Sequence, residues 1–254
     1  MKATKKNKGS VFHRVKQLFK KKLYTAAVIL VGGSSSRFGT DIPKQLMDLD
    51  GIPVVAHSLL AFQKNELIDE IVVVCREGEQ DHYYKMATQY GIDKLHRVVA
   101  GGETRQHSAL KGVSATSDTA QYVLIHDGAR PLVSDNTICD VIFASHDHKA
   151  ACAAIRSKDT VKIADSTGFI HRTEDRNHVY LAATPQGFYK ILYEACAHSA
   201  LKDGVEVTDD ASLLEHYFYK VKLVESNADN IKVTFPSDLI VAEALLKKRN
   251  QTNT

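Results

Sequence analysis

Residues 26–46 read AAVILVGGSSSRFGTDIPKQL. Six apolar residues, Ala26 to Val31, run without interruption into a glycine pair, three serines and Arg37, with Lys44 seven residues further on. An apolar run of this length suits a strand buried on both faces. The Gly/Ser segment after it suits a ligand loop. Glycines and serines let backbone N–H groups converge on anionic oxygens, and a helix starting after the loop would add its dipole. Gly32 and Gly33 would line such a nest. Arg37 and Lys44 beside it can neutralise a triphosphate and the charge that grows on its α-phosphorus during attack. The plainer reading is a turn flanked by two solvated cations. The segment has neither the G-x-G-x-x-G spacing of dinucleotide folds nor the Gly-Lys-Ser/Thr of a P-loop.

Working outward, the apolar runs recur as EIVVVC (70–75), HRVVAG (96–101), YVLIHD (122–127) and AACAAI (150–155). Between them lie helical patterns: PVVAHSLLAF, with Pro53 at the first helical position, then EQDHYYKMATQY, TRQHSALKGV and DNTICDVIFASH. Strands separated by helices predict a doubly wound α/β fold with a mostly parallel sheet covered on both faces. The alternation breaks at 156–180, RSKDTVKIADSTGFIHRTEDRNHVY, where short β-like pieces flank a polar turn and a protruding hairpin arm fits best. Beyond the arm the patterns predict helices over Pro185–His198 and Thr208–Tyr217, then strands in KVKLVES and IKVTF. A last helix, SDLIVAEALLKKR, would be capped by Ser237.

A chain of 254 residues, 44% hydrophobic, is long enough for one large α/β domain. We expect that domain over 25–250, behind a basic extension at 1–24. The extension carries nine Lys/Arg and no acid, whereas the remaining residues carry 24 basic against 30 acidic side chains. A basic tail on a mildly acidic body is not the basic stripe that nucleic-acid binding requires, and no nucleic-acid partner is expected. Within the tail, Val11, Phe12, Val15, Leu18, Phe19 and Leu23 recur at helical spacing among lysines. Two readings stand: an amphipathic helix on an anionic membrane surface, or a solvated extension whose apolar stripe rests on the domain. A secretory signal fits poorly, because its cleavage would delete the first strand. Cys75, Cys139, Cys152 and Cys196 are widely spaced with no C-x-x-C pair, which favours reduced thiols and a cytoplasmic setting.

The fourth strand ends in HDGARP. An aspartate at the mouth of a buried strand beside a ligand cleft is a natural Mg²⁺ ligand or sugar-hydroxyl acceptor, and Asp127 fits either role or that of a turn cap. His126 is expected to pack or hydrogen-bond. The chain has no H-E-x-x-H, no paired Cys/His spacing and no G-x-S-x-G elbow, so metalloprotease and α/β-hydrolase chemistry lack their usual signatures.

Taken in order, VGGSSSRFGTDIPKQL, AGGETRQHSALKGV, VLIHDGARPLV, DTVK, EDRNHVYLAATPQGF, TDDASLLE and DNIKVTFPSDLIVAEALL resemble the blocks of the 2-C-methyl-D-erythritol 4-phosphate cytidylyltransferases. The resemblance spans about residues 25–247. It implies a Rossmann-like nucleotidyltransferase fold and attack of a methylerythritol phosphate oxygen on the α-phosphorus of CTP, with Mg²⁺ as cofactor and pyrophosphate as leaving group. By motif, Arg37, Lys44 and Lys232 would stabilise the transition state. Gly32, Gly33, Gly102, Glu103 and Ser108 would hold the nucleotide, and Asp127 would sit by the metal and ribose. Thr208 would touch the methylerythritol phosphate. The arm would exchange between the subunits of a homodimer, carrying Thr160 and Arg176 to the neighbouring site.

Some positions depart from the family habit. The first loop commonly reads A-A-G-x-G-x-R-M, whereas this chain has Val31, Gly32, Ser35 and Phe38 at the first, second, fifth and last places, and Gly128 replaces a common alanine. Ser35 must accept a conformation that glycine takes more cheaply. Two alternatives remain at this level. Ribitol 5-phosphate cytidylyltransferases share the fold and first motif but carry Ser-Val at the place of Gly128–Ala129 and Gly-Gln at Ala182–Ala183. A catalytically silent nucleotide-binding protein is the other.

Overall fold

The computed structural model describes residues 23–33 and 43–252. Arg37, Ser35, Phe38 and the helical spacing seen between Val11 and Phe19 lie outside the described residues. In chain order the elements are β1 (Thr25–Leu30), the short pair β2 (Asp48–Leu49) and β3 (Ile52–Pro53), α1 (Val54–Lys64), β4 (Glu70–Cys75), α2 (Gln80–Tyr90), β5 (Leu95–Ala100), α3 (Arg105–Ser114) and β6 (Tyr122–Asp127). Beyond these come α4 (Asp135–His148), β7 (Ala150–Arg156), β8 (Lys162–Ala164), β9 (Ile170–Thr173), β10 (Tyr180–Tyr189), α5 (Lys190–Asp203), α6 (Asp210–His216), β11 (Lys222–Glu225) and α7 (Pro236–Thr252).

Seven strands form one sheet in the order β11-β7-β10-β6-β1-β4-β5. All pairs are parallel except those of β10, which runs antiparallel to β6 and β7. The reason β1 reads as an unbroken apolar run is visible in its pleat, because Ala26, Ala27, Val28 and Ile29 are all fully buried. Ala27 and Ile29 join the face packed by Phe62, Tyr83 and Ile142, while Ala26 and Val28 join the opposite face with Val113, Tyr193 and Leu213. Each large side chain buried this way contributes about 1.5–3 kcal/mol. Helix α3 lies close on its face, since a Cβ at Gly112 would stand 2.4 Å from Val28 Cγ1 and 2.6 Å from Val74 Cγ2.

The chain winds from β1 through β4 to β5 on one side and then crosses to β6 on the other. That reversal opens a crevice at the carboxyl ends of β1 and β6, where open α/β sheets take their ligands. Asp127 at the end of β6 is joined to a buried polar chain. The Thr184 hydroxyl accepts the Asp127 N–H (3.1 Å) and pairs with His126 Nδ1 (2.9 Å), which leaves Nε2–H of the ring to donate to the Arg130 carbonyl (3.3 Å). With Nδ1 as acceptor the imidazole is neutral, and burial lowers its pKa to about 3.

Four local expectations need correction. Pro185 to Tyr189, expected as the start of a helix, is the second half of β10, and the helix begins at Lys190. Pairing with strands on both sides, Gln186 opposite Ile125 and opposite Cys152, overrides the local pattern. IKVTF is an irregular segment outside the sheet, held by the Val233 N–H on the Ala129 carbonyl (2.8 Å) and by packing of Val233 with Leu132 and Ala242. Pro53 precedes α1 and pairs with Asp48 across β2 and β3. The last helix starts at Pro236, and Asp238 Oδ2, rather than Ser237, accepts the N–H groups of Thr234 and Phe235 (both 2.8 Å).

The 156–180 segment contains the antiparallel hairpin β8–β9, every residue of which is exposed. Phe169 and Ile170 at its tip are 74% and 64% exposed. No helix among the described residues is long and apolar enough to cross a membrane.

Val31 and Gly128 turn out to be neighbours. A Cβ at Gly128 would meet Val31 Cγ1 at 2.7 Å and the Leu30 carbonyl oxygen at 3.2 Å, so the valine methyl fills the space an alanine at 128 would need. Gly128→Ala should therefore destabilise by about 1–3 kcal/mol, and adding Val31→Ala should recover most of that loss in a double-mutant cycle read by urea denaturation. Equal costs in both backgrounds would show that the two positions are independent.

Candidate active site

A cleft of about 460 Å³ opens at the crevice, lined on one side by Gly32, Gly33 and Lys44 and on the other by Gly102, Asp127 and Lys232. At the end of β1 the Val31 N–H donates to the Val74 carbonyl (2.8 Å), which carries the chain straight into the glycine pair. Lys44 comes back to the same place on a single 3-10 turn, Lys44–Leu46. The turn is tethered because the Gln45 side-chain amide donates to the Val31 carbonyl. Lys44 is thereby buried, at 8% exposure, while lining the cleft.

The opposite wall begins with the loop between β5 and α3. Thr104 caps α3, its hydroxyl accepting the His107 N–H (3.1 Å), and Ser108 Oγ accepts the Gly102 N–H (3.0 Å) while donating to the Thr104 carbonyl (2.9 Å). A Cβ on Gly102 would lie 2.4 Å from His107 Cβ, so the tight turn needs glycine there. Ser108 thus builds the loop, and exposed Glu103 stands at its rim beside the cleft.

Asp127 is the electrostatic centre. Lys232 Nζ lies 2.8 Å from Oδ2, Arg130 Nε 3.7 Å from Oδ2, and Arg105 Nη2 3.5 Å from Oδ1. Burial pushes the carboxyl pKa upward, but Lys232, Arg105 and Arg130 together outweigh it and hold the group far below its ordinary range. Lys232 reaches this point because its segment is sewn down. Asn230 Nδ2 donates to the Thr184 carbonyl (2.8 Å), and Arg130 Nη1 donates to the Asn230 carbonyl (2.8 Å). Arg105 is held from behind by buried Asp210, 2.8 Å from Nη2, whose Oδ1 accepts the Tyr193 hydroxyl (2.9 Å). Burial alone would make Arg105 a weaker base, but Asp210 and Asp127 more than offset that and keep it charged.

Of the residues expected at the site, Gly32, Gly33, Lys44, Gly102, Glu103, Ser108, Asp127 and Lys232 line this one cleft. Thr160 and Arg176 are exposed on the arm segment and Thr208 is exposed just before α6, and none of the three lines it. Arg37 lies outside the described residues. Sequence reasoning passed over Arg105, Arg130, Asp210 and Gln45. Arg130 carried a signal, being three residues after Asp127 in the same turn; Asp210 is brought to Arg105 only by the fold.

Among the described residues no group of three or more His, Cys, Asp or Glu side chains converges on a metal position. The donor chemistry still fits Mg²⁺. The hard carboxylate oxygens of Asp127 suit it by type, although Lys232, Arg105 and Arg130 hold them here, and Mg²⁺ is commonly held by one or two carboxylates plus substrate phosphates.

Comparison with known proteins identifies the family. The family model described as 2-C-methyl-D-erythritol 4-phosphate cytidylyltransferase matches residues 25–248. A 2-C-methyl-D-erythritol 4-phosphate cytidylyltransferase of Caldanaerobacter subterraneus is 40% identical over 224 residues, covering 88% of this chain and 99% of that one. Among solved structures, the 4-diphosphocytidyl-2C-methyl-D-erythritol synthase of Anaerococcus prevotii superposes with a TM-score of 0.79 at 33% identity, over 88% of this chain and 96% of the other. The Thermus thermophilus cytidylyltransferase does so with a TM-score of 0.71 at 30% identity, over 87% and 98%. The chain belongs to the 2-C-methyl-D-erythritol 4-phosphate cytidylyltransferase family.

Proposed function

We infer that the protein transfers CMP from CTP to 2-C-methyl-D-erythritol 4-phosphate, releasing pyrophosphate, as a step of non-mevalonate isoprenoid biosynthesis. The observation that carries this reading is the convergence of Lys44, Lys232 and Asp127 on a cleft lined by the Gly32–Gly33 turn. A phosphate oxygen of the acceptor attacks the α-phosphorus of CTP. The new P–O bond forms as the bond to the β-phosphate oxygen breaks, and pyrophosphate leaves with the electron pair. Little covalent work falls to the protein; placement and charge stabilisation are its main contributions.

In this reading Lys44, with Arg37, draws the triphosphate onto the glycine turn and stabilises the five-coordinate phosphorus. Lys232 serves the same charge from the other wall, aimed by its ion pair with Asp127. Gly102, Glu103 and Ser108 frame the base and ribose. Mg²⁺, when bound at Asp127 and the phosphates, supplies further neutralisation of the charge on the oxygens. Residues 25–250 act as one cytidylyltransferase domain, with its arm over about 156–180. The exposed Phe169 and Ile170 support a paired arm. A homodimer would bring Thr160 and Arg176 to the neighbouring cleft, with Thr208 completing the acceptor site. Four free cysteines support a cytoplasmic setting.

The direct test is pyrophosphate release from CTP and Mg²⁺ with methylerythritol 4-phosphate or ribitol 5-phosphate as acceptor. Release is expected only with the first. Release only with ribitol 5-phosphate would overturn the acceptor assignment, and release with neither would overturn the enzymatic reading.

For the arm, Lys44→Ala should lower kcat about a hundredfold or more, and Arg176→Ala should also be inactive. Mixed subunits should regain about a quarter of the wild-type activity, the statistical share of sites with both residues intact in a two-fold dimer. No recovery after verified subunit exchange would place Arg176 in its own subunit's site or outside catalysis.

A further inference from the structure

Arg76 is the first residue after β4, and its exposed side chain turns back to the glycine pair. Nε donates to the Gly32 carbonyl (3.3 Å) and Nη2 to the Gly33 carbonyl (3.1 Å). The base of this contact is itself fixed. The Arg76 N–H donates to Glu79 Oε2 (3.3 Å), the Glu79 N–H returns a bond to the Arg76 carbonyl (3.2 Å), and the Cys75 carbonyl just before it accepts the Gly101 N–H (2.8 Å). Gly32 also lies against this strand end, where a Cβ would meet Cys75 C at 3.4 Å.

In a trans peptide the C=O and the following N–H point in opposite directions. Drawing the Gly32 carbonyl to Arg76, which does not line the cleft, turns the Gly33 N–H the other way, toward the cleft that Gly33 lines. A guanidinium holds two successive carbonyls in a fixed geometry because its donors form a rigid planar fork, which a point-charge ammonium on a flexible stem does not impose. We propose that Arg76 is a positioning residue which, by holding both carbonyls of the glycine pair, presents the backbone of Gly32 and Gly33 as an anion nest for the triphosphate.

The inference rests on the CTP-binding reading above, and the test separates the two. Steady-state kinetics of the full chain with CTP and methylerythritol 4-phosphate would compare wild type, Arg76→Ala and Arg76→Lys, with thermal melting alongside. Both variants should raise KM for CTP about tenfold, the size of one lost charge-assisted hydrogen bond, with KM for the acceptor and the melting temperature unchanged. If Arg76→Lys behaves as wild type, charge alone suffices and the clamp is overturned. Unchanged KM for CTP in both variants would also overturn it. A wild-type protein that releases no pyrophosphate overturns the functional reading instead.

Discussion

One buried carboxylate organises the site. Taking Asp127 out of water costs several kcal/mol, and each cation within 4 Å returns a few at the effective dielectric of a protein interior. One partner would leave the balance close to even. Lys232, Arg105 and Arg130 converge on it together, and their sum keeps the carboxylate ionised. Each partner comes from a different part of the chain. Arg105 starts α3, Arg130 lies in the turn after β6, and Lys232 comes from the irregular segment before α7. The ion cluster is therefore also a geometric device, closing three separate segments onto the end of one central strand.

The rest of the cleft depends on that closure. Arg130 ties the Asn230 carbonyl, Asn230 ties β10 through Thr184, and Thr184 reaches back to the Asp127 N–H and the neutral His126 ring. A polar circuit of this kind, with most members paired, is stiff in a low-dielectric interior. It holds one wall of the cleft, while the Gln45 and Arg76 bonds to the carbonyls of Val31, Gly32 and Gly33 hold the other. A triphosphate meeting these two walls finds cations already placed, which lowers the reorganisation needed at the moment of transfer.

The central strands were legible because a parallel strand covered on both faces must be apolar at nearly every position. EIVVVC and YVLIHD coincide with β4 and β6 for that reason. β10 was obscured because Pro185 and Gly187 look like helix and turn punctuation. In the fold, Gly187 leaves room for α4, as a Cβ there would sit 3.0 Å from Val141 Cγ1. IKVTF alternates like a strand, yet its Ile231 and Val233 serve the satellite core with α7. At the site, Asp127 and Lys44 announce themselves by standing at the mouth of a strand and beside a glycine loop. Asp210 does not, because its meaning depends on Arg105, which only the packing of α3 against α5 and α6 brings near.

The charge of Asp127 is stabilising where it stands. The measurement is the unfolding free energy of wild type and Asp127→Asn from pH 7 down to pH 3. A carboxyl held below its ordinary 3.8 contributes stability that is fully present above that value and is lost as pH falls through the lower folded pKa. The asparagine variant should be less stable at pH 7, with three cations left facing a neutral amide, and the gap should narrow below about pH 4. An asparagine variant as stable as wild type at neutral pH, or a gap that does not change with pH, would contradict a stabilising charge at this position.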